Sequence, residues 1–140
     1  MDTIPKLVDC NLFATKQAAR FVTQLYERHL AAVNVTSSQV TIFAVIDNQP
    51  GITMTELARA VVMDRTSLVR AIQPLNRDGY VLQKSEPGSK KITLYLSKSG
   101  TQKYRDALPH WDAAQKEYEG MVGEERARML RHELMAITQR

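Results

Sequence analysis

The sequence predicts a mainly α-helical chain with one small β-hairpin, set between longer helices at either end. Three observations carry this. Apolar residues recur at helical spacing over most of the chain. Four helix starts are marked by their side chains: Thr36 with Gln39, Thr53 with Glu56, Asp64, and Ser97. After Gly79 the period changes from 3.6 to 2 in two short runs, separated by Glu86-Pro87-Gly88-Ser89.

Taken in order, residues 11–33 place Ala18, Phe21, Val22, Leu25 and Leu30 along one stripe with no Gly or Pro, which predicts a long amphipathic helix. Thr36 and Gln39 open a second helix, VTIFAVI, apolar nearly all round and so expected in the core; Asp47-Asn48-Gln49-Pro50-Gly51 ends it. Thr53 and Glu56 cap a third helix of about two turns carrying Leu57, Ala60 and Val61. Asp64 opens a fourth, with Leu68, Val69, Ile72 and Leu75 as its apolar face and Gly79 just past its end. Pro74 lies inside this helix, where it should bend it or end its useful length near Gln73. The runs 80–85 and 92–97 form the hairpin. Ser97 caps a fifth helix, in which Pro109 should produce a kink or a split, and residues 124–139 form a last helix with Ala127, Leu130, Leu134 and Ile137 on one side.

The chain has 140 residues, the size of one domain, and 44% hydrophobic residues, enough for a core. Its net charge of +4 is unevenly placed. From Asp64 to Lys91 six basic residues face three acids, leaving +3 of that excess in 28 residues. This suits a nucleic-acid partner. Cys10 is the single cysteine, so no internal disulfide is possible. The first ten residues lack the charged-then-apolar pattern of a secretion leader, and no apolar run approaches the ~18 residues of a membrane span. A soluble cytoplasmic protein, with no membrane partner, is expected. His29, His110 and His132 lack ligand spacing, so neither metal nor cofactor is expected, and no catalytic motif occurs, so no catalytic residue is assigned and no enzyme is expected.

The third and fourth helices, joined through Val62-Met63-Asp64, have the arrangement of a helix-turn-helix, whose second helix enters a major groove. Opposite its apolar face that helix shows Thr66, Arg70, Gln73 and Arg77, with Arg65 and Ser67 at its leading end. Arginine and glutamine make paired hydrogen bonds to guanine and adenine, and a threonine methyl packs on that of thymine. The hairpin adds Lys84, Lys90 and Lys91, as a wing lying over phosphates would. Without the hairpin, the same stripe would serve equally well as a solvated helix face.

The phrase MTELARAVVMDRTSLVRAIQPLNRDGYV, followed by LYLSKSG, resembles the MarR family of bacterial transcriptional regulators, and the resemblance extends over nearly the whole chain. It implies a winged helix-turn-helix over residues 36–97 within one domain of residues 1–140, flanked by dimerisation helices at 1–35 and 98–140. It implies a homodimer on a pseudo-palindromic double-stranded DNA operator, in the usual case as a repressor, and release by a small, often aromatic ligand. Base-reading positions carried over are Arg65, Thr66, Ser67, Arg70 and Gln73. The family's wing carries an arginine after an aspartate; SEPGSKKITLYLS has neither in that pattern, so Lys90 or Lys91 would substitute as backbone contacts. Phe13, Phe43 and Trp111 are candidates to line a ligand pocket, core or dimer packing being their other use. Two further readings stay open: a winged-helix protein-interaction module without sequence-specific DNA binding, and redox sensing through Cys10, against which stands the lack of a second, resolving cysteine.

Overall fold

The computed structural model describes residues 6–139; the first half of the stretch read against a secretion leader lies outside them. Helix α1 (Asn11–Leu30) ends in a 3-10 turn over Ala31–Val33, three residues short of the expected end, because Asn34 turns the chain through the left-handed region at φ 54°. Helix α2 (Ser37–Asn48) starts on a complete capping box: Thr36 Oγ1 accepts from the Gln39 amide and Gln39 Oε1 accepts from the Thr36 amide, both at 3.1 Å. Val40, Ile42, Phe43 and Ile46 bury it at the centre of the core.

Strand β1 (Ile52–Thr53) was not expected; two residues give no period to read. Helix α3 (Met54–Ala60) follows, and its cap is half of the expected box. Thr53 Oγ1 accepts from the Glu56 amide at 3.1 Å, but the Glu56 carboxylate takes the Thr53 hydroxyl and the Gln49 amide group instead of the Thr53 backbone. Helix α4 (Arg65–Arg77) is capped by Asp64. Strands β2 (Val81–Ser85) and β3 (Ile92–Leu96) form the hairpin, and β1 pairs with the other edge of β3, giving an antiparallel sheet of order β1-β3-β2 with Ile52 opposite Leu94 and Leu82 opposite Tyr95. The third strand ties the hairpin to the start of α3.

Helix α5 (Lys98–Val122) runs unbroken through Pro109, so of the expected kink or split the split does not occur. Pro109 faces solvent while Ala107 and Ala114 are fully buried on the opposite side, where α5 packs on α1 and α2; that packing holds the helix across the missing hydrogen bond. Helix α4 likewise passes Pro74 and reaches Arg77, held by buried Ile72 and Leu75 on either side. Helix α6 (Glu124–Thr138) closes the chain, with only Ala127 buried. The core joins Leu30 of α1, Phe43 and Ile46 of α2, Leu57 of α3, Leu68 and Ile72 of α4, Val81 and Leu94 of the sheet, and Ala107 of α5. Burying each large aliphatic side chain of this set contributes about 1.5–3 kcal/mol. Val69, expected on the apolar face of α4, remains 37% exposed.

A candidate nucleic-acid interface on helix α4 and the hairpin

Helix α4 is fixed at both ends. At its start, Asp64 Oδ1 accepts from the Ser67 amide and Oδ2 from the Ser67 hydroxyl, each at 2.8 Å. These bonds hold the Asp64 carboxyl below the ordinary carboxylate range. At its end, the Tyr80 amide reaches the Leu75 carbonyl at 2.9 Å and the Gly79 amide reaches that of Asn76 at 3.1 Å, with Gly79 at φ 78°. This is a Schellman termination, which needs a left-handed residue at the Gly79 position.

Between these ends, Leu68, Ile72 and Leu75 face the core and Thr66, Arg70, Gln73 and Arg77 face solvent. The four exposed residues form one stripe, since steps of four, seven and eleven residues return to nearly the same direction at about 100° per residue. Among the described residues no hydrogen bond or ion pair engages Arg70, whereas Arg77 Nε lies 3.3 Å from Asp78. Ser67 is exposed, but its hydroxyl is committed to the Asp64 cap. Arg65 Nη1 donates to Thr55 Oγ1 on α3 at 3.4 Å.

The hairpin lysines divide into two groups. Lys84, on β2, lies with its ammonium 4.4 Å from the centre of the Tyr95 ring, a cation-π contact. Lys90 and Lys91 instead border an open cleft of about 290 Å³ whose other wall is Thr55, Glu56, Arg59 and Arg65. Thr55 and Arg59 went unnoticed in the sequence. Their separation of four residues, which places them on one face of a short helix, was the available signal.

The three aromatic candidates for a ligand pocket are not brought together. Phe43 is fully buried, edge-on to Tyr80 with ring centres 6.2 Å apart, and is a core residue. Phe13 lies on the exposed first turn of α1. Trp111 stands edge-on to Tyr26 and separates two small cavities: one of about 230 Å³ against Val40, Ala44, Val45, Tyr104 and Leu108, and one of about 270 Å³ against Val22, Tyr26 and Ser37. Burial pushes the Tyr104 phenol above its usual range, and the Asp47 charge adds to this. Cys10 is the N-cap of α1, its sulfur accepting from the Phe13 amide at 3.4 Å.

The MarR family model matches residues 33–92, the span of α2, α3, α4 and the start of β3. The same fold extends over the rest of the chain in solved relatives. The M. tuberculosis transcriptional regulator MosR, solved in complex with DNA, is 29% identical and superposes with a TM-score of 0.84 over 94% of this chain and 95% of its own. The chain is similar to MarR-family regulators, the family model spanning its winged helix-turn-helix and the solved structure its whole fold. The transcriptional repressor CouR bound to a 23-mer DNA duplex matches with a TM-score of 0.85 at 20% identity, covering 99% of both chains. CouR from Rhodococcus jostii RHA1 bound to p-coumaroyl-CoA matches at 0.81 and 17%, covering 97% and 96%. At these identities the CouR likeness speaks to fold alone. Comparison with curated proteins returned no match. Helices α1 and α6, outside the matched span, carry uncovered apolar residues, among them Leu12, Phe21, Leu134 and Ile137. Among the described residues no single helix is long and apolar enough to cross a membrane.

Proposed function

We propose that the chain is a dimeric, sequence-specific DNA-binding transcriptional regulator that reads a pseudo-palindromic operator with α4 and rests its hairpin on the backbone. The observation that carries this is the solvent-facing stripe Thr66, Arg70, Gln73 and Arg77 on a helix locked at both ends, with Arg70 free of partners among the described residues. A base-reading arginine needs that freedom, because a bidentate bond to guanine uses its whole donor edge. MosR, the relative of highest identity among these three, was solved on DNA, which supports the same partner here. A protein-interaction module would need no such unpartnered arginine beside a basic hairpin. Dimerisation accounts for the apolar residues left open on α6, of which Leu134 is 56% and Ile137 63% exposed.

Selection of bound duplexes from a random DNA pool tests the proposal. The expected outcome is an enriched inverted repeat, with half-sites about one helical turn apart. Arg70→Ala should then weaken the selected site by ~1–3 kcal/mol and broaden the preference at one base pair of each half-site. Arg70→Ala retaining full affinity and selectivity would overturn the assignment of α4 as the reader.

Regulation by a small aromatic ligand is the second part of the proposal, and it rests on the two cavities flanking Trp111. Trp111 is the chain's only tryptophan, so its fluorescence reports on both cavities directly. A ligand that releases the operator should quench or shift that emission; release without any change in it would place the ligand elsewhere.

A further inference from the structure

Arg65 directly follows the cap of the reading helix, yet it does not share the direction of the reading stripe. At about 100° per residue it stands roughly 100° around α4 from Thr66 and 140° from Arg70. Its guanidinium is turned back to the Thr55 hydroxyl on α3, at 3.4 Å. There it borders the same cleft as Arg59 of α3 and Lys90 and Lys91 at the foot of β3. Four cations therefore line one cleft of about 290 Å³, and among the described residues none of them makes an ion pair. The cleft's one acid, Glu56, has its carboxylate oxygens occupied by the Thr53 hydroxyl and the Gln49 amide group. Against the single carboxylate of Glu56 the four cations leave the cleft with a net charge of +3, and an anion placed among them relieves their mutual repulsion.

We propose that Arg65, with Thr55 holding its guanidinium, Arg59, Lys90 and Lys91 form a clamp for one DNA backbone phosphate between the helix-turn-helix and the hairpin. Arg65 is then a positioning contact and not a base reader, and sequence choice falls to Thr66, Arg70 and Gln73. The clamp also gives the hairpin a role that needs no arginine of its own, since Lys90 and Lys91 meet the phosphate from the opposite wall to Arg65. This inference rests on the DNA-binding function proposed above. A phosphodiester fits the cleft better than a carboxylate, because it offers several acceptor oxygens to donors converging from two sides.

The test compares the wild-type chain with Arg65→Ala, Arg65→Lys, Thr55→Val and Arg70→Ala, titrated against the selected operator duplex and a scrambled duplex of equal length over a salt series. Arg65→Ala should weaken both duplexes by the same factor, leaving their affinity ratio unchanged. It should lower the slope of log K against log salt by up to about 0.9, the value of one whole phosphate contact, since Arg59, Lys90 and Lys91 remain on the same phosphate. Arg65→Lys should restore the slope, and Thr55→Val should fall between wild type and Arg65→Ala. Arg70→Ala should reduce the operator-to-scrambled ratio. The clamp is overturned if Arg65→Ala lowers that ratio as Arg70→Ala does, or leaves the slope unchanged. A wild-type chain that binds neither duplex at low salt overturns the DNA-binding function itself, and the clamp with it.

Discussion

The carbonyl oxygen of Tyr80 occupies the space in which residue 100 would carry a side chain: a Cβ on Gly100 would lie 2.0 Å from it. The contact lies where the end of α4 meets the start of α5. Ser97 Oγ accepts from the Gly100 amide at 3.0 Å and donates to the Gly79 carbonyl at 2.6 Å, while the Ser97 amide donates to the Tyr80 carbonyl at 3.0 Å. One serine thus caps α5 and ties it to the turn that ends α4. The LYLSKSG phrase is the sequence form of this joint between the hairpin and α5. Gly100→Ala must push the two apart, and should cost about 1–3 kcal/mol, typical of overpacking against unyielding atoms. Ser97→Ala should cost ~1 kcal/mol as a lost cap. Urea unfolding of the two variants measures both losses; a neutral Gly100→Ala would show that the joint yields freely.

The turn between α3 and α4 repeats the Schellman termination seen at Gly79, with a valine in the glycine position. The Met63 amide reaches the Ala58 carbonyl at 2.9 Å, the Val62 amide reaches that of Arg59 at 3.3 Å, and Val62 sits at φ 54°. A β-branched residue is strained there, by roughly 1–2 kcal/mol, and at 66% exposure Val62 recovers little by burial. Val62→Gly should therefore raise stability by about 1 kcal/mol, the reverse of glycine's usual effect in ordered structure. Thermal melting checks this, and a lower Tm in Val62→Gly would refute the strain.

The legible and illegible parts of the chain separate on physical grounds. Capping side chains act on amides only two or three residues away, so Thr36, Thr53, Asp64 and Ser97 marked four helix starts correctly. The exposed stripe on α4 followed from its period alone. What lay hidden was set by distant packing. Proline's local cost argued for a bend or an early end at Pro74 and a kink or split at Pro109, but buried neighbours on α4 and α5 carry both helices across without interruption. Phe43 sits in an all-apolar helix whose composition already placed it in the core, and the core, not a ligand pocket, is where it lies. The Arg65 cleft joins residues from three elements, and β1, which brings the hairpin beside α3, was too short to see.

Leu130, Leu134 and Ile137 fall at positions i, i+4 and i+7 on the open side of α6, and they lie 38%, 56% and 63% exposed. If a second copy covers them, each leucine contributes about 1.5–3 kcal/mol on burial. The double substitution Leu134→Glu with Ile137→Glu should then convert a dimer to monomer in sedimentation equilibrium. The winged part should stay folded, since its core draws nothing from α6. Loss of operator binding should accompany monomer formation. A variant that sediments as the wild type would remove α6 from the interface.

Asp64 ties the stability of helix α4 to pH. Its carboxyl is held below the ordinary value of 3.8 by the Ser67 amide first and the Ser67 hydroxyl second. A carboxyl with a lowered folded-state pKa adds stability above its unfolded pKa, and that contribution is lost as pH falls through the folded value. Asp64→Asn keeps an oxygen that can accept from the Ser67 amide but has no charge to face the helix N-terminus. Wild type should therefore be the more stable of the two at neutral pH. The two should converge as the solution is acidified through and below the ordinary carboxylate range, where Asp64 is protonated in both folded and unfolded chains. Denaturant midpoints for both proteins across that range provide the measurement. A stability difference that persists unchanged at the acid end would show that the cap acts through shape alone and not through charge.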